Sequence, residues 1–134
     1  MDAYSVNSSN YKGLLVWQQS MQLVEMVYGI CRTLPKEELF ALSSQLRRAV
    51  TSIPSNIAEG SGRGHRKEFI QHLRIAYGSL CEVETQILIV ERLQLATYDW
   101  PDLGEKIASV GRLLKALIRS LQTAQPKQLR NLSN

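Results

Sequence analysis

The side chains best suited to chemistry lie between positions 56 and 72, where amide, carboxylate, imidazole and guanidinium groups follow one another. Asn56 and Glu59 are three residues apart, so a helix would place them on one face, among apolar neighbours. A carboxylate buried there needs a cationic partner. Three arginines of the same or a neighbouring chain are candidates: Arg47, Arg48 and Arg63. Glu84 is expected to pair similarly, with Arg47. Two interpretations stay open, a structural polar network at a subunit interface and a ligand-binding or catalytic site.

A second group of candidates is the glycine-rich segment 60–67, which combines three glycines with four potentially cationic side chains. The four are Arg63, His65, Arg66 and Lys67. A predicted helix begins here, and backbone N–H groups at a helix start favour phosphate. The segment is not a Walker loop, because no Gly-Lys-Ser/Thr follows its glycines. It is interpreted either as a solvated turn or as a contact for nucleic-acid phosphates without sequence preference.

Cations also line the last predicted helix. Three of them step by three and four residues and so form one stripe: Arg112, Lys115 and Arg119. No carboxylate follows Glu105, whereas Lys127 and Arg130 continue the positive charge. Such a stripe is either a solvated face or an electrostatic surface for RNA or DNA.

Enzymatic and metal chemistry are not expected. His72 follows Arg66 by six residues, a spacing that some helical ribonucleases use, but six residues turn an ideal helix by about 240° and separate the side chains. The two histidines and two cysteines are scattered, far from zinc spacing. The sequence therefore predicts a protein without a cofactor or a catalytic site, and RNA cleavage by Arg66 and His72 is the weakest hypothesis.

Composition predicts one globular domain. The chain has 134 residues, of which 44% are apolar and 21% charged. It lacks an 18-residue uncharged apolar run and a secretory pattern, so we expect a cytoplasmic protein in which Cys31 and Cys81 are free thiols. The formal net charge of +4 is unevenly distributed, with basic stretches flanking an acidic one at 76–105.

Helical periodicity dominates the chain. Helices are predicted at about 15–33, from 39–43 to 60, at 66–94, and after the turn at 97–101, where Asp99 or Trp100 caps the last helix. The third helix has apolar residues at four-three spacing, and this seam is Phe69, Leu73, Ala76, Leu80, Val83, Ile87 and Val90. Short connections favour an all-α, antiparallel, up-down-up-down four-helix bundle. Its predicted bounds are residues 14–123, between a flexible N-terminal segment (1–13) and a polar tail (124–134).

Pro54 is the anomaly in this pattern, because it removes a helical N–H inside the second helix. It is expected to bend that helix and to leave the Val50 carbonyl in need of another partner. The bend is interpreted either as a device that wraps the helix around the core or as the origin of a pocket or subunit contact.

The run around Pro54 carries a resemblance. The segment 52–60 reads Ser-Ile-Pro-Ser-Asn-Ile-Ala-Glu-Gly, preceded by Leu-Ser-Ser-Gln-Leu-Arg-Arg-Ala at 42–49. With Leu-Val-Trp-Gln at 15–18 and Ile-Ala-Tyr-Gly-Ser-Leu at 75–80, it resembles the four-helix bundle family that includes proteins encoded in intervening sequences of large-subunit ribosomal RNA genes. The resemblance covers about residues 13–120.

This resemblance implies a homopentameric ring with no established enzymatic activity. A related branch serves as the accessory protein of diversity-generating retroelements, in which a basic pentamer binds nucleic acid and works with a reverse transcriptase. The leading expectation is therefore a non-enzymatic homo-oligomeric scaffold that binds RNA or DNA electrostatically, with a reverse transcriptase as a possible partner. The alternative is a self-assembling bundle without nucleic-acid affinity.

Overall fold

The structure, a computed structural model, describes residues 10–123 and contains four α-helices and no strand in that range. The helices are α1 (Leu15–Cys31), α2 (Leu42–Gly62), α3 (Arg66–Arg92) and α4 (Trp100–Gln122). Short 3-10 turns, Tyr11–Gly13 and Lys36–Glu38, precede α1 and α2. The four predicted helices are confirmed, with ends that differ from the predicted ones by a few residues.

Contacts between helices show their directions. Gln45 of α2 meets Gln86 of α3 at one end of the pair, and Ser52 meets Ser79 further along. From the first contact to the second, the residue number rises along α2 and falls along α3, so the two helices are antiparallel.

The other contacts close the bundle. The Arg66 guanidinium at the start of α3 donates to the Leu121 carbonyl at the end of α4, over 3.3 Å. Lys106 of α4 donates to Gln19 of α1 over 2.7 Å. Each helix packs against its neighbours in sequence, and α1 packs against α4. This pattern agrees with the up-down-up-down order.

The core follows the predicted seams. Every residue of the predicted α3 seam is buried. In α1, the stripe of Leu23, Val27 and Ile30 is buried, whereas Met21 of the neighbouring stripe remains 38% exposed. The single chain thus leaves part of the apolar surface of α1 exposed. That part is available for contact with another copy of the chain.

Helix α2 runs without interruption through Pro54, which is buried. Nearby hydroxyls bond carbonyls of the preceding turns: Thr51 Oγ1 donates to the Arg47 carbonyl over 2.8 Å, and Ser55 Oγ donates to the Thr51 carbonyl over 2.7 Å. These hydroxyls bond carbonyls other than that of Val50, so neither of them replaces the hydrogen bond that Pro54 removes.

The turn between α2 and α3 depends on two glycines. Gly64 has a φ of 76°, a left-handed conformation that glycine adopts without strain and that commonly ends a helix. At Gly60, an added Cβ would lie 2.6 Å from His72 Cβ and 3.1 Å from Phe69 Cδ1. Only a residue without a side chain lets α2 approach α3 this closely.

The start of α4 has the cap that the sequence predicts. Asp99 caps α4, because its carboxylate accepts from the Asp102 N–H over 3.0 Å, as predicted.

Most of the predicted N-terminal segment and the whole predicted polar tail, with Lys127 and Arg130, lie outside the described residues. No described helix combines the length and the apolar character that crossing a membrane requires.

Candidate nucleic-acid interface

The bundle separates its charges into two halves. We define the basic half as residues 10–23, 52–79 and 111–123, and the acidic half as residues 24–51 and 80–110. The basic half contains eight Lys and Arg residues against two carboxylates, a formal charge of +6. The acidic half contains six Lys and Arg residues against nine carboxylates, a formal charge of −3. Antiparallel packing creates this polarity by bringing the start of α3 beside the end of α4.

The turn between α2 and α3 is partly neutralised within the chain. Arg63 donates from its guanidinium to Glu59 Oε1 over 2.8 Å and lies 3.9 Å from Glu68. The hydrogen bond from Arg63, followed by the charge of His72, lowers the pKa of Glu59 below its usual value. Reciprocally, the hydrogen bond to Glu59 raises the pKa of Arg63. The positive charge of Arg63 is therefore partly neutralised by Glu59.

The cations at the start of α3 have different surroundings. Lys67 and Arg74 line a 340 Å³ surface pocket with Ile70, Gln71 and Gln122, where α3 meets the end of α4. Both side chains are exposed, as is His65 before them. Arg66 is half-buried and engages the last turn of α4 through the Leu121 carbonyl. This pocket brings two exposed cations of α3 beside Ile70 and the last residue of α4.

The stripe on α4 is less uniform than its spacing indicates. Arg112 lies 3.3 Å from the Glu105 carboxylate, one end of an exposed ion pair. Lys115 Nζ lies 5.0 Å above the centre of the Tyr77 ring, a cation–π contact with α3. Arg119 is exposed on the turn that faces the α3 start. Arg112 therefore has a carboxylate partner within the chain, although no carboxylate lies between the cations of the stripe in the sequence.

Asn56 belongs to a polar network between α2 and α3. Its amide donates to the Ser52 carbonyl over 2.9 Å and to Ser52 Oγ over 3.0 Å, and Ser52 Oγ lies 2.9 Å from Ser79 Oγ. Asn56 Oδ1 is then an acceptor, so the His72 Nδ1–H, at 3.0 Å, is its donor. The network satisfies half-buried polar groups beside the closely packed Gly60.

Two expectations about carboxylates need correction. Glu59 is not buried among apolar residues in this chain, because its side chain is 53% exposed and paired with Arg63 across one helical turn. Glu84 does not turn toward Arg47 but lines the α3–α4 groove with Arg112 and Lys115. The Arg47 guanidinium instead donates to the Ser43 carbonyl over 3.3 Å, and Arg48 is exposed on α2. The residues grouped by the sequence interpretation thus lie on separate faces.

The remaining chemistry-bearing residues are also apart. Arg66 contacts α4 and His72 contacts α2, so these two side chains face different neighbours. Across residues 10–123, no three His, Cys, Asp or Glu side chains are grouped to hold a metal ion. Burial raises the pKa of the Cys31 thiol, which donates to the Ser43 carbonyl, and Cys81 is exposed.

Sequence reasoning missed Arg74 and three members of the polar network. Arg74 follows Lys67 by seven residues, or two helical turns. This spacing alone indicates that the two side chains lie on one face of the helix. Ser52, His72 and Ser79 carried no comparable signal, since their meeting depends on the register between α2 and α3.

Comparison with known proteins places the chain in a family. The family model described as 23S rRNA-intervening sequence protein matches residues 12–116, most of the chain. The chain belongs to the 23S rRNA-intervening sequence protein family. The match spans all of α1, α2 and α3 and confirms the resemblance drawn from the segment around Pro54.

A solved structure supports the same assignment for this intervening-sequence protein. It is similar to a protein of unknown function from the S23 ribosomal protein family of Bacteroides thetaiotaomicron VPI-5482, with a TM-score of 0.71 and 25% sequence identity. The alignment covers 78% of this chain and 96% of that one. No curated protein matches the chain.

Proposed function

We propose that this intervening-sequence protein is a non-enzymatic, homo-oligomeric scaffold that binds RNA or DNA through phosphate contacts made by its basic half. The separation of charge carries this proposal: eight cations against two carboxylates in the basic half, with a formal charge of −3 in the other half. A surface of one sign attracts a polyanion and orients it toward that surface.

The cations of the basic half are better suited to contact nucleic-acid phosphates than to recognise the edges of bases. Lys67, Arg74 and Arg119 are exposed side chains on helix surfaces, suited to phosphates at variable positions. Tyr77, an aromatic ring in the same half, is half-buried and covered by Lys115, so it is not open for base stacking. Binding should therefore be largely independent of nucleic-acid sequence.

A salt titration tests this proposal. The affinity of the protein for a fluorescent nucleic-acid duplex should fall as salt rises, with a log–log slope of roughly −0.9 per phosphate contacted. Two duplexes of unrelated sequence should give the same slope and similar affinities. Absence of binding even at low salt would refute the proposal.

Assembly is the second part of the proposal, with a pentamer as the form that the family resemblance implies. Apolar side chains remain exposed on two helices of the single chain, Met21 on α1 with Ile75 and Ile89 on α3. Covering them with other copies removes apolar area from water. Five copies would also combine their formal charges to roughly +20, which strengthens the field.

Light scattering tests the assembly. The mass at micromolar concentration should be that of five chains of 15.1 kDa. The mass of a single chain would contradict the assembly. The proposed phosphate contacts would not be affected by that result, because the salt titration tests them separately.

The alternative function is a self-assembling bundle whose charges serve only its own structure. The ion pairs of Arg63 with Glu59 and of Arg112 with Glu105 favour it, because both cations already have partners within the chain. The accessory role beside a reverse transcriptase is a further proposal within the first hypothesis. A neighbouring reverse transcriptase gene would support that role, whereas location inside a ribosomal RNA gene would support the other branch.

A further inference from the structure

Two surface grooves lie on opposite flanks of α4. The first, which we call the Trp100 groove, has a volume of 340 Å³ and lies between the end of α3 and the start of α4. Its apolar lining is Ile87, Leu88, Trp100, Pro101 and Ile107. The second, which we call the Leu15 groove, has a volume of 290 Å³ and lies between the start of α1 and the end of α4. It is lined by Leu14, Leu15, Val16, Leu113, Ala116 and Leu117.

Both grooves expose apolar surface to water. Leu88 is 47% exposed in the Trp100 groove, and Leu15 is 54% exposed in the Leu15 groove. Every side chain that lines the Leu15 groove is apolar. Because each groove is one surface made by two neighbouring helices, its apolar side chains can be covered together. Exposed apolar surface of this kind commonly marks an interaction site.

Carboxylates predominate around the Trp100 groove. Residues 84–107 carry five carboxylates and two cations, a formal charge of −3. Two of the carboxylates, Glu84 and Glu91, line the groove itself. Of the two cations, Lys106 bonds α1 on the other flank of α4, and Arg92 is exposed at the end of α3. The other cations of the acidic half lie on α1, on α2 or before α2, and these segments do not line the groove: Arg32, Lys36, Arg47 and Arg48.

Cations predominate around the Leu15 groove. The two segments that form it, residues 10–23 and 111–123, carry no carboxylate and four cations: Lys12, Arg112, Lys115 and Arg119. One carboxylate, that of Glu105, approaches Arg112, and Lys115 lies over the ring of Tyr77. The sum of these charges remains positive, so it is opposite in sign to the charge around the Trp100 groove.

We propose that the Trp100 groove of one copy of the chain docks on the Leu15 groove of the next copy. This contact covers apolar side chains on both copies and brings opposite charges together, whereas contact between two like grooves would bring like charges together. The grooves lie on opposite flanks of α4, so one copy can contact a neighbour on each side. Repetition of a contact between two different surfaces around an axis closes a ring. The inference rests on the assembly proposed above and names the surfaces that form it.

The test introduces a charge into each groove at a position where the fold has room. Gly104 is exposed in the Trp100 groove, and an added Cβ there meets no atom within 4 Å. Gly104→Lys therefore places a cation in this groove without disturbing the bundle. Ala116 is exposed in the Leu15 groove, and Ala116→Glu places a carboxylate there. Each new charge faces its own sign on the neighbouring copy, so we expect light scattering at micromolar concentration to give each variant the mass of a single chain of 15.1 kDa.

Gly78→Lys is the matched control for Gly104→Lys. Gly78 is also exposed, and an added Cβ there meets no atom within 4 Å, but the residue lines neither groove. This variant adds the same charge and should keep the mass of the original chain.

Mixing the Gly104→Lys and Ala116→Glu proteins provides a second measurement. The first protein keeps an unchanged Leu15 groove, and the second keeps an unchanged Trp100 groove. The mixture should therefore recover at least the mass of two chains. A variant whose mass had fallen because it was unfolded would not recover mass in this way.

Retention of the original mass by Gly104→Lys or by Ala116→Glu would overturn this inference and leave the proposed assembly standing, since the copies would then meet through other surfaces. Equal losses of mass in Gly78→Lys and Gly104→Lys, or a mixture that recovers no mass, would overturn it as well. The mass of a single chain for the original protein would overturn the proposed assembly together with this inference. The salt titration would still test the phosphate contacts separately.

Discussion

Gly60→Ala is expected to destabilise the bundle by about 2–3 kcal/mol, because it inserts a methyl group where α2 and α3 are in contact. The new Cβ would lie 2.6 Å from His72 Cβ, an atom close to the α3 backbone that no side-chain rotation can remove. The two helices must separate, and the neighbouring hydrogen bond between Asn56 and His72 must lengthen. Urea unfolding followed by circular dichroism measures the loss.

Gly62→Ala is the matched control, two residues further along the same helix. An added Cβ there meets no atom within 4 Å, and Gly62 is exposed. This variant should be as stable as the original chain or more stable by up to about 1 kcal/mol, because alanine restricts the unfolded chain. Both proteins must be compared at one protomer concentration, since assembly adds to apparent stability. Equal stability of the two variants would show that the close approach at Gly60 is not maintained in solution.

Reversing three cations of the basic half should lower duplex affinity by about 100-fold or more at 0.1 M salt. The variant is Lys67→Glu combined with Arg74→Glu and Arg119→Glu. All three side chains are exposed in the basic half, and Lys67 and Arg74 line the pocket between α3 and the end of α4. The changes therefore remove proposed phosphate contacts without entering the core. Fluorescence anisotropy with a labelled duplex measures the loss, and the salt slope should become shallower.

A second triple variant separates position from total charge. Arg32→Glu, Lys36→Glu and Arg92→Glu change the net charge by the same amount, but all three residues are exposed in the acidic half. This variant should keep most of the affinity, apart from a modest long-range effect that salt screens. An equal loss in both triples would show that net charge, not the basic half, determines binding. Circular dichroism of each variant confirms that the helices persist.

The helices and their buried faces were predictable because both depend on short-range patterns. The α3 seam repeats at four-three spacing, and such a repeat selects one buried face whatever the partner helices are. Asp99 was predictable as a cap for the same reason, since it accepts from Asp102 three residues away. Pro54 does not interrupt α2, and the bend expected there stays a prediction.

The surroundings of the site residues were less predictable because they depend on the orientation of each side chain and on the packing between helices. Glu59 looked buried beside Ile57, yet it is exposed and paired with Arg63. The spacing of the α4 stripe did not show that two of its cations have partners within the chain, Arg112 beside Glu105 and Lys115 above Tyr77. Glu84 was expected on the α2 side, but the rotation of α3 turns it toward α4.

By itself, the sequence determined the four helices, their apolar seams, the glycine-rich turn and the family, because each of these is encoded in residues close together along the chain. The tertiary structure alone decided which charges share one half of the bundle, that Gly60 packs on His72, and that the Trp100 groove and the Leu15 groove lie on opposite flanks of α4. Those properties arise from antiparallel packing, which brings the start of α3 to the end of α4 and fixes the register of α2 against α3. Sequence spacing contains no direct measure of either.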